Sequence, residues 1–292
     1  MKLKTTLDQW QTLYEINRAG SIQAAAAVLN KSHTTLIYAV KKLEAQLDVS
    51  LLTVQGRKAV LTEAGHALLR RAGSMLEQAR ELEVMSGQLA QGFESEITVA
   101  MDHLCDPQSL YQPMAKYLAQ NNTTSIQVIE TSLSKTTEMV TSEQADIAII
   151  TLPITNYPAE AFGVTAMLPV VANDHPLAMV PSVSLSQLAS VTQVVIRDLG
   201  HEAIKQDVGW LKSSQRITVD NFDHAFQAVE AGVGFCRLPA HLVKRRASGK
   251  LATLNIEQSQ YYQVPLHLTL PKGVKTGPAA QAFYEQLLQQ VR

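Results

Sequence analysis

The stretch Gly20-Ser21-Ile22-Gln23-Ala24-Ala25-Ala26-Ala27-Val28-Leu29-Asn30-Lys31-Ser32-His33-Thr34-Thr35-Leu36 decides how the amino-terminal region reads. Gly20 ends whatever precedes it, and Ser21 is placed to cap a short helix whose alanines let a neighbouring helix approach closely. Asn30-Lys31 then make a turn. Ser32 is a second N-cap candidate, and the helix it opens carries the apolar stripe Leu36, Val40, Leu43 and Leu47 at i, i+4, i+7 and i+11. The outer face is left to His33, Thr34, Ile37, Tyr38, Lys41 and Lys42. Two short helices joined by a tight turn, the second presenting polar and basic groups outward, have the outline of a helix-turn-helix reader of DNA.

Working outward, Leu7, Trp10, Leu13, Tyr14 and Ile16 predict an amphipathic helix from Thr6 to Ala19. Downstream, Val49 to Leu52 and Ala59 to Leu61 read as a small hairpin with the basic tip Gln55-Gly56-Arg57-Lys58. Leu61, Leu68, Met75, Leu82 and Leu89 then recur every seven residues, with Gly65, Ala72, Ala79 and Ser86 four beyond each of the first four. A helix of roughly 30 residues spans about 45 Å, and such a heptad seam predicts burial against a second chain. Gly92 closes it.

Beyond Gly92 strands alternate with helices, which predicts a parallel sheet covered on both faces. Strands are expected at Glu96 to Met101, Ile126 to Thr131, Ile147 to Ile150, Gln193 to Arg197, Arg216 to Val219 and Val233 to Leu238. Helices are expected after Pro107, from Ser134, over Asn221 to Ala231 and after Pro239. The Pro-rich segment Leu152 to Pro181 reads as a crossing between two subdomains. A return crossing near Gln263 lets the strand Val264 to Leu270 and the helix Pro278 to Val291 pack back on the first subdomain.

The run from Gly20 to Leu29, with Ser32, Leu36, Val40, Lys42-Leu43-Glu44, Leu47, Leu51, Gly56-Arg57 and Leu61-Thr62-Glu63-Ala64-Gly65, resembles the amino-terminal region of LysR-type transcriptional regulators. The likeness covers about residues 7 to 90. Ala231-Gly232-Val233-Gly234-Phe235 and Leu238-Pro239 resemble a later glycine-containing strand of that family. The resemblance implies an α/β protein with an amino-terminal winged helix-turn-helix (1–62), a dimerising linker helix (63–91) and a two-lobed periplasmic-binding-protein-like effector domain (92–292). Lobe one would hold about 92–161 and 264–292, lobe two about 162–263. His33, Thr34 and Ile37 stand where the family commonly has Gln, Pro and Ser, and Val54 where an Arg is frequent. An unusual operator and fewer phosphate contacts in the wing are therefore expected.

The DNA-contact candidates are Ser32, His33, Thr34, Thr35, Tyr38, Lys41 and Lys42 on the third helix, with Arg57 and Lys58 in the wing. Thr and Tyr reach base edges or phosphate oxygens, and Lys neutralises phosphate. The alternative is a solvated helix face and a polar turn. Net charge is only −1. Residues 1–62 nevertheless carry eight Lys/Arg against four acids, +4, which leaves −5 for the rest. Such a basic head on an acidic body suits a phosphate-binding module attached to something else.

Ligands are expected at the carboxyl ends of parallel strands. Those positions hold Asp102 and His103, Thr131 and Ser132, Thr151, and Arg197 with Asp198. Thr, Ser and Arg there could take a carboxylate or phosphate, so a small-molecule effector, with an anionic one as a candidate, is expected; exposed loop residues are the alternative.

The two cysteines, Cys105 and Cys236, make no disulfide framework and read as small apolar residues, with an oxidant-sensing pair as the lesser reading. No nucleophile elbow, Walker sequence, dinucleotide fingerprint or HExxH occurs, and the histidines lack ligand spacing. No catalytic residue, metal or cofactor is expected. With no apolar run near the roughly 18 residues of a membrane span and no signal-like start, the chain reads as cytoplasmic. Expected partners are double-stranded DNA, the effector, a second or further copy of the chain as dimer or tetramer, and RNA polymerase as a candidate. A solute-binding or small-molecule enzyme domain with an incidental helical head is the alternative.

Overall fold

The computed structural model describes residues 3–55, 58–121, 123–201, 211–246, 249–257 and 262–290. It divides into two units, 1–91 and 92–292.

The first unit opens with α1 (Leu7–Ala19), α2 (Ile22–Val28) and α3 (His33–Leu47). Each start is held by a short polar side chain. Thr6 accepts from the Gln9 N–H in a capping box, Ser21 from Ala24 and Ser32 from Thr35. Gly20 ends α1 at φ 75°, a left-handed conformation glycine adopts without cost. Leu13, Ile16, Ala25, Leu36, Val40 and Leu43 then bury together, so the stripe read from the sequence is the inner face of α3.

The hairpin is β1 (Leu52–Gln55) with β2 (Lys58–Leu61), antiparallel. The Glu44 carboxylate of α3 accepts the Leu51 and Leu52 N–H groups at 2.6 and 3.0 Å, tying the wing to the recognition helix. α4 (Glu63–Ala90) follows, capped by Thr62. Gly65 is needed where it stands, because a Cβ there would collide with the Leu51 carbonyl.

The heptad reading of α4 needs correction. Leu61 belongs to β2, and Leu69 and Ala72 pack with it into the unit's own core. Farther along, Met75, Leu82 and Leu89 are 38, 67 and 46% exposed, so the open part of the seam is its distal half.

The second unit has the order β3 (Glu96–Asp102), α5 (Pro107–Gln120), β4 (Ser125–Thr131), α6 (Leu133–Thr141), β5 (Ile147–Ile150) and β6 (Ala159–Ala172). Then come α7 (Leu185–Ala189), β7 (Gln193–Ile196), β8 (Arg216–Val219), α8 (Phe222–Glu230), β9 (Cys236–Pro239) and α9 (Ala240–Arg246). β10 (Leu251–Thr253), β11 (Tyr262–Thr269) and α10 (Pro278–Leu288) complete it. The main sheet runs β10-β6-β11-β5-β3-β4, with β9 also on β6; β7 and β8 form a separate parallel pair.

β3, β4 and β5 are parallel as expected, but β6, β9, β10 and β11 pair antiparallel, so the sheet is mixed. The segment read only as a Pro-rich crossing contains the 14-residue β6. Burial alternates from Thr165 to Pro169, but Ala166 to Ala172 are apolar throughout, so no apolar–polar alternation marks the strand in the sequence. Its first half pairs with β11 beside β5, and its second half with β9 and β10, so β6 and β11 are the strands that join the two lobes. The last helix packs beside α5. The Glu94 carboxylate accepts the Ala279 N–H at 2.9 Å at the start of α10, and Tyr117 of α5 packs on Phe283 with ring centroids 5.1 Å apart.

Candidate functional site

On the first unit the outward face of α3 presents His33, Thr34, Thr35, Tyr38, Lys41 and Lys42, all exposed, with Tyr38 at 67%. Ser32 is exposed but engaged. Its Oγ takes the Thr35 N–H at 3.1 Å and lies 2.8 and 2.7 Å from the Thr34 and Thr35 hydroxyls. Ser32 thus fixes the first turn, and the threonines reach outward from a defined start. Ile37, half-buried, closes the edge of the face. Arg57 and the side chain of Lys58 lie outside the described residues; the backbone of Lys58 opens β2.

In the second unit a cavity of about 140 Å³ lies where the two lobes meet. From lobe one come His103, Leu104, Ser132, Leu133, Thr151 and Leu152. From lobe two come Gln193 to Arg197, Phe222, Cys236 and Arg237. Met167 of β6 and Tyr262 and Val264 of β11 are contributed by the joining strands. Most of these side chains are apolar.

His103 lies edge-on to Phe222 with centroids 4.8 Å apart, and its Nδ1 is buried without a hydrogen-bond partner. Burial holds its pKa below 6.5, against the opposing pull of Asp102, Glu130 and Asp198, so the ring is neutral near pH 7. Arg197 pairs with Asp220 at 3.0 Å. Arg237 lies over the Tyr262 ring at 5.8 Å, and burial lowers its pKa.

Four of the seven residues expected at the strand ends therefore line this cavity: His103, Ser132, Thr151 and Arg197. The other three are placed behind its wall. The fully buried Asp102 carboxylate accepts the Leu104 and Leu133 N–H groups at 3.0 and 3.3 Å, and the Thr136 and Thr151 hydroxyls at 3.3 and 3.2 Å. Burial raises its pKa. Thr131 shares a 2.8 Å hydrogen bond with Thr136. Asp198 is bound to Ser132 and Ser134. The physical reason is common to all three: polar groups at buried strand ends must be satisfied, and here neighbouring hydroxyls and backbone N–H groups satisfy them.

The pattern of the bacterial regulatory helix-turn-helix protein, lysR family, matches residues 7–66, and that of the LysR substrate binding domain matches residues 90–292. The chain belongs to the LysR-type transcriptional regulators. Among relatives of this regulator, HTH-type transcriptional regulator YhaJ of Escherichia coli O157:H7 is 28% identical over 263 residues, 87% of either chain. The RuBisCO operon transcriptional regulator of Allochromatium vinosum is 25% identical over 301 residues, 98% of this chain and 96% of that one. The crystal structure of CbnR, a LysR family transcriptional regulator, shares the fold at 21% identity and a TM-score of 0.51, covering 97% of this chain and 100% of that one.

This LysR-type regulator binds DNA through its helix-turn-helix, carries a ligand-responsive carboxyl-terminal domain, and is of a family that forms homo-oligomers. Sequence reasoning missed Gln193, Phe222, Arg237 and Tyr262 as cavity residues. No local signal marks them: Arg237 and Tyr262 are brought there by the antiparallel pairing of β9 and β11 with β6, and Gln193 and Phe222 by β7 and α8. Cys105 and Cys236 are free and buried in one core, and burial pushes both thiols up to about 12. Burial of this kind disfavours the thiolate on which oxidant chemistry depends. No group of three metal-ligating side chains and no helix long and apolar enough to cross a membrane occurs among the described residues.

Proposed function

We propose that this regulator reads duplex DNA with the exposed face of α3 and the wing, and that a small molecule held in the cavity between the lobes of residues 92–292 alters that reading. The carrying observation is the α3 face: six polar, aromatic and basic side chains project from a helix whose opposite face is locked into the core. Thr34, Thr35, Tyr38 and His33 read the groove; Lys41, Lys42, Arg57 and Lys58 neutralise phosphates; Ser32 sets the register of the first turn. His103, Ser132, Thr151 and Arg197 contact the effector, while Asp102, Thr131 and Asp198 hold the wall behind them. Copies associate through the exposed distal stretch of α4, as a dimer or, with further contacts, a tetramer, and RNA polymerase is the partner through which promoter output changes. The chain acts in the cytoplasm, without cofactor or catalysis of its own.

Duplex binding titrated over several salt concentrations tests the first part. Affinity should fall steeply with salt, as counterion release from phosphate contacts requires; binding insensitive to salt would remove the phosphate-contact reading. For the assembly, Leu82→Lys should weaken self-association in sedimentation velocity, and an unchanged oligomer would place the interface elsewhere.

A further inference from the structure

The amino terminus of α6 is supplied with negative charge from inside the protein. Ser132 stands at the N-cap of this nine-residue helix but makes no side-chain capping bond to it. Its hydroxyl instead accepts the Leu199 N–H from lobe two at 2.7 Å and donates to Asp198 Oδ1 at 3.4 Å. The first helical N–H groups go to two carboxylates. Leu133 donates to Asp102, and Ser134 donates to Asp198 Oδ2 at 3.4 Å through its N–H and at 2.5 Å through its hydroxyl. Gly200 donates its N–H to Asp198 Oδ1 at 3.1 Å, and a Cβ on Gly200 would collide with Ser134 Oγ. Lobe two thus meets lobe one at this helix end with Asp198 only 4% exposed.

An anion is stabilised at a helix amino terminus by the free N–H groups and the helix dipole. Here those groups are already taken by Asp102 and Asp198, and Ser132, which also lines the cavity, is turned to Asp198 and the Leu199 N–H. A ligand carboxylate brought to this end would meet two carboxylates and no free N–H of the first turn. Among the described lining residues, Arg197 is tied to Asp220 and Arg237 lies against Tyr262. As lined by the described residues, what remains is a predominantly apolar space of about 140 Å³. Resting on the reading of this cavity as the effector site, we propose that the Asp198 carboxylate fills the anion position of α6 from within, so that the cavity selects an uncharged, mainly apolar molecule over a carboxylate.

The test uses the full chain and the matched probes isovaleramide and isovalerate, with acetate as a small anion, all read by thermal unfolding at fixed ionic strength. In the parent protein isovaleramide should raise Tm and isovalerate should not, because a ligand stabilises only the state that binds it. Asp198→Ala vacates the anion position. Acetate should then raise its Tm by about 2 to 4 °C over chloride, and isovalerate should begin to stabilise it. If Asp198→Ala does not fold, Asp198→Asn keeps the volume and loses the charge, and isovalerate should gain on isovaleramide relative to the parent. Stabilisation of the parent by isovalerate equal to that by isovaleramide overturns the proposal, as does an Asp198→Ala response to acetate no greater than to chloride. Rescue by acetate with no shift from either probe overturns the cavity as the effector site, and the ligand class with it, while leaving Asp198 as the carboxylate that completes α6.

Discussion

The recognition face of α3 and the cavity of the effector domain treat their polar groups in opposite ways. On α3, Tyr38, Lys41 and Lys42 project into water, and only Ser32, Thr34 and Thr35 bond to one another. In the effector domain Asp102, Thr131, Ser132, Ser134 and Asp198 are each at most 4% exposed, and each is already hydrogen-bonded to its neighbours. A surface of the first kind draws its binding energy from a partner that brings the counter-charges. Groups of the second kind are satisfied before any ligand arrives, so a ligand must fit the apolar space they leave or exchange bonds that already exist.

The sharpest way to break that contrast is Asp102→Ala. Two N–H groups and two hydroxyls would lose their acceptor in a buried place, and urea denaturation should show a loss of about 3 kcal/mol. A loss below about 0.5 kcal/mol, the range of an ordinary surface change, would mean that the network repairs itself. On the α3 face, truncation should leave folding intact and act on binding alone. Thr34→Ala and Tyr38→Phe should reduce preference for the specific duplex by roughly 1 to 3 kcal/mol with little change in salt slope, if each makes a base contact. Equal loss on specific and random duplexes would assign these residues to positioning the helix.

Lys42→Ala should act more evenly, weakening binding to every sequence and lowering the log-log salt slope by about 0.9. An unchanged slope would take Lys42 off the phosphate path.

The smallest effect concerns His103. Its folded pKa is depressed below 6.5 by burial, so the unfolded chain binds the proton first as pH falls. Stability should therefore decline from about pH 6.5 down to the folded pKa and then level off. His103→Gln should flatten that part of the pH profile measured by urea denaturation. A profile identical to the parent's would show that other groups carry it.

Much of the head was legible because its partners are neighbours in sequence. Ser21, Gly20, Ser32 and the stripe Leu36, Val40, Leu43 act within a few residues of themselves, and capping and 3.6-residue periodicity are local rules. The heptad was partly misread for the complementary reason. Spacing placed Leu61 and Leu68 in one seam with Leu82 and Leu89, yet the first two face the wing and the helix-turn-helix core.

In the effector domain the parallel strands β3, β4 and β5 and their helices followed from short apolar runs, and so did the strand ends where His103, Ser132 and Thr151 meet the cavity. The amino-acid sequence by itself determined the helix-turn-helix, its outward residues and the alternation of strands and helices, because each depends on interactions a few residues long. Only the tertiary structure decided that β6 joins the lobes, that Arg237 and Tyr262 face the cavity, and that Asp198 of one lobe completes a helix of the other. Those pairings link residues 64 or more positions apart, and no local pattern records which distant group will satisfy a buried donor.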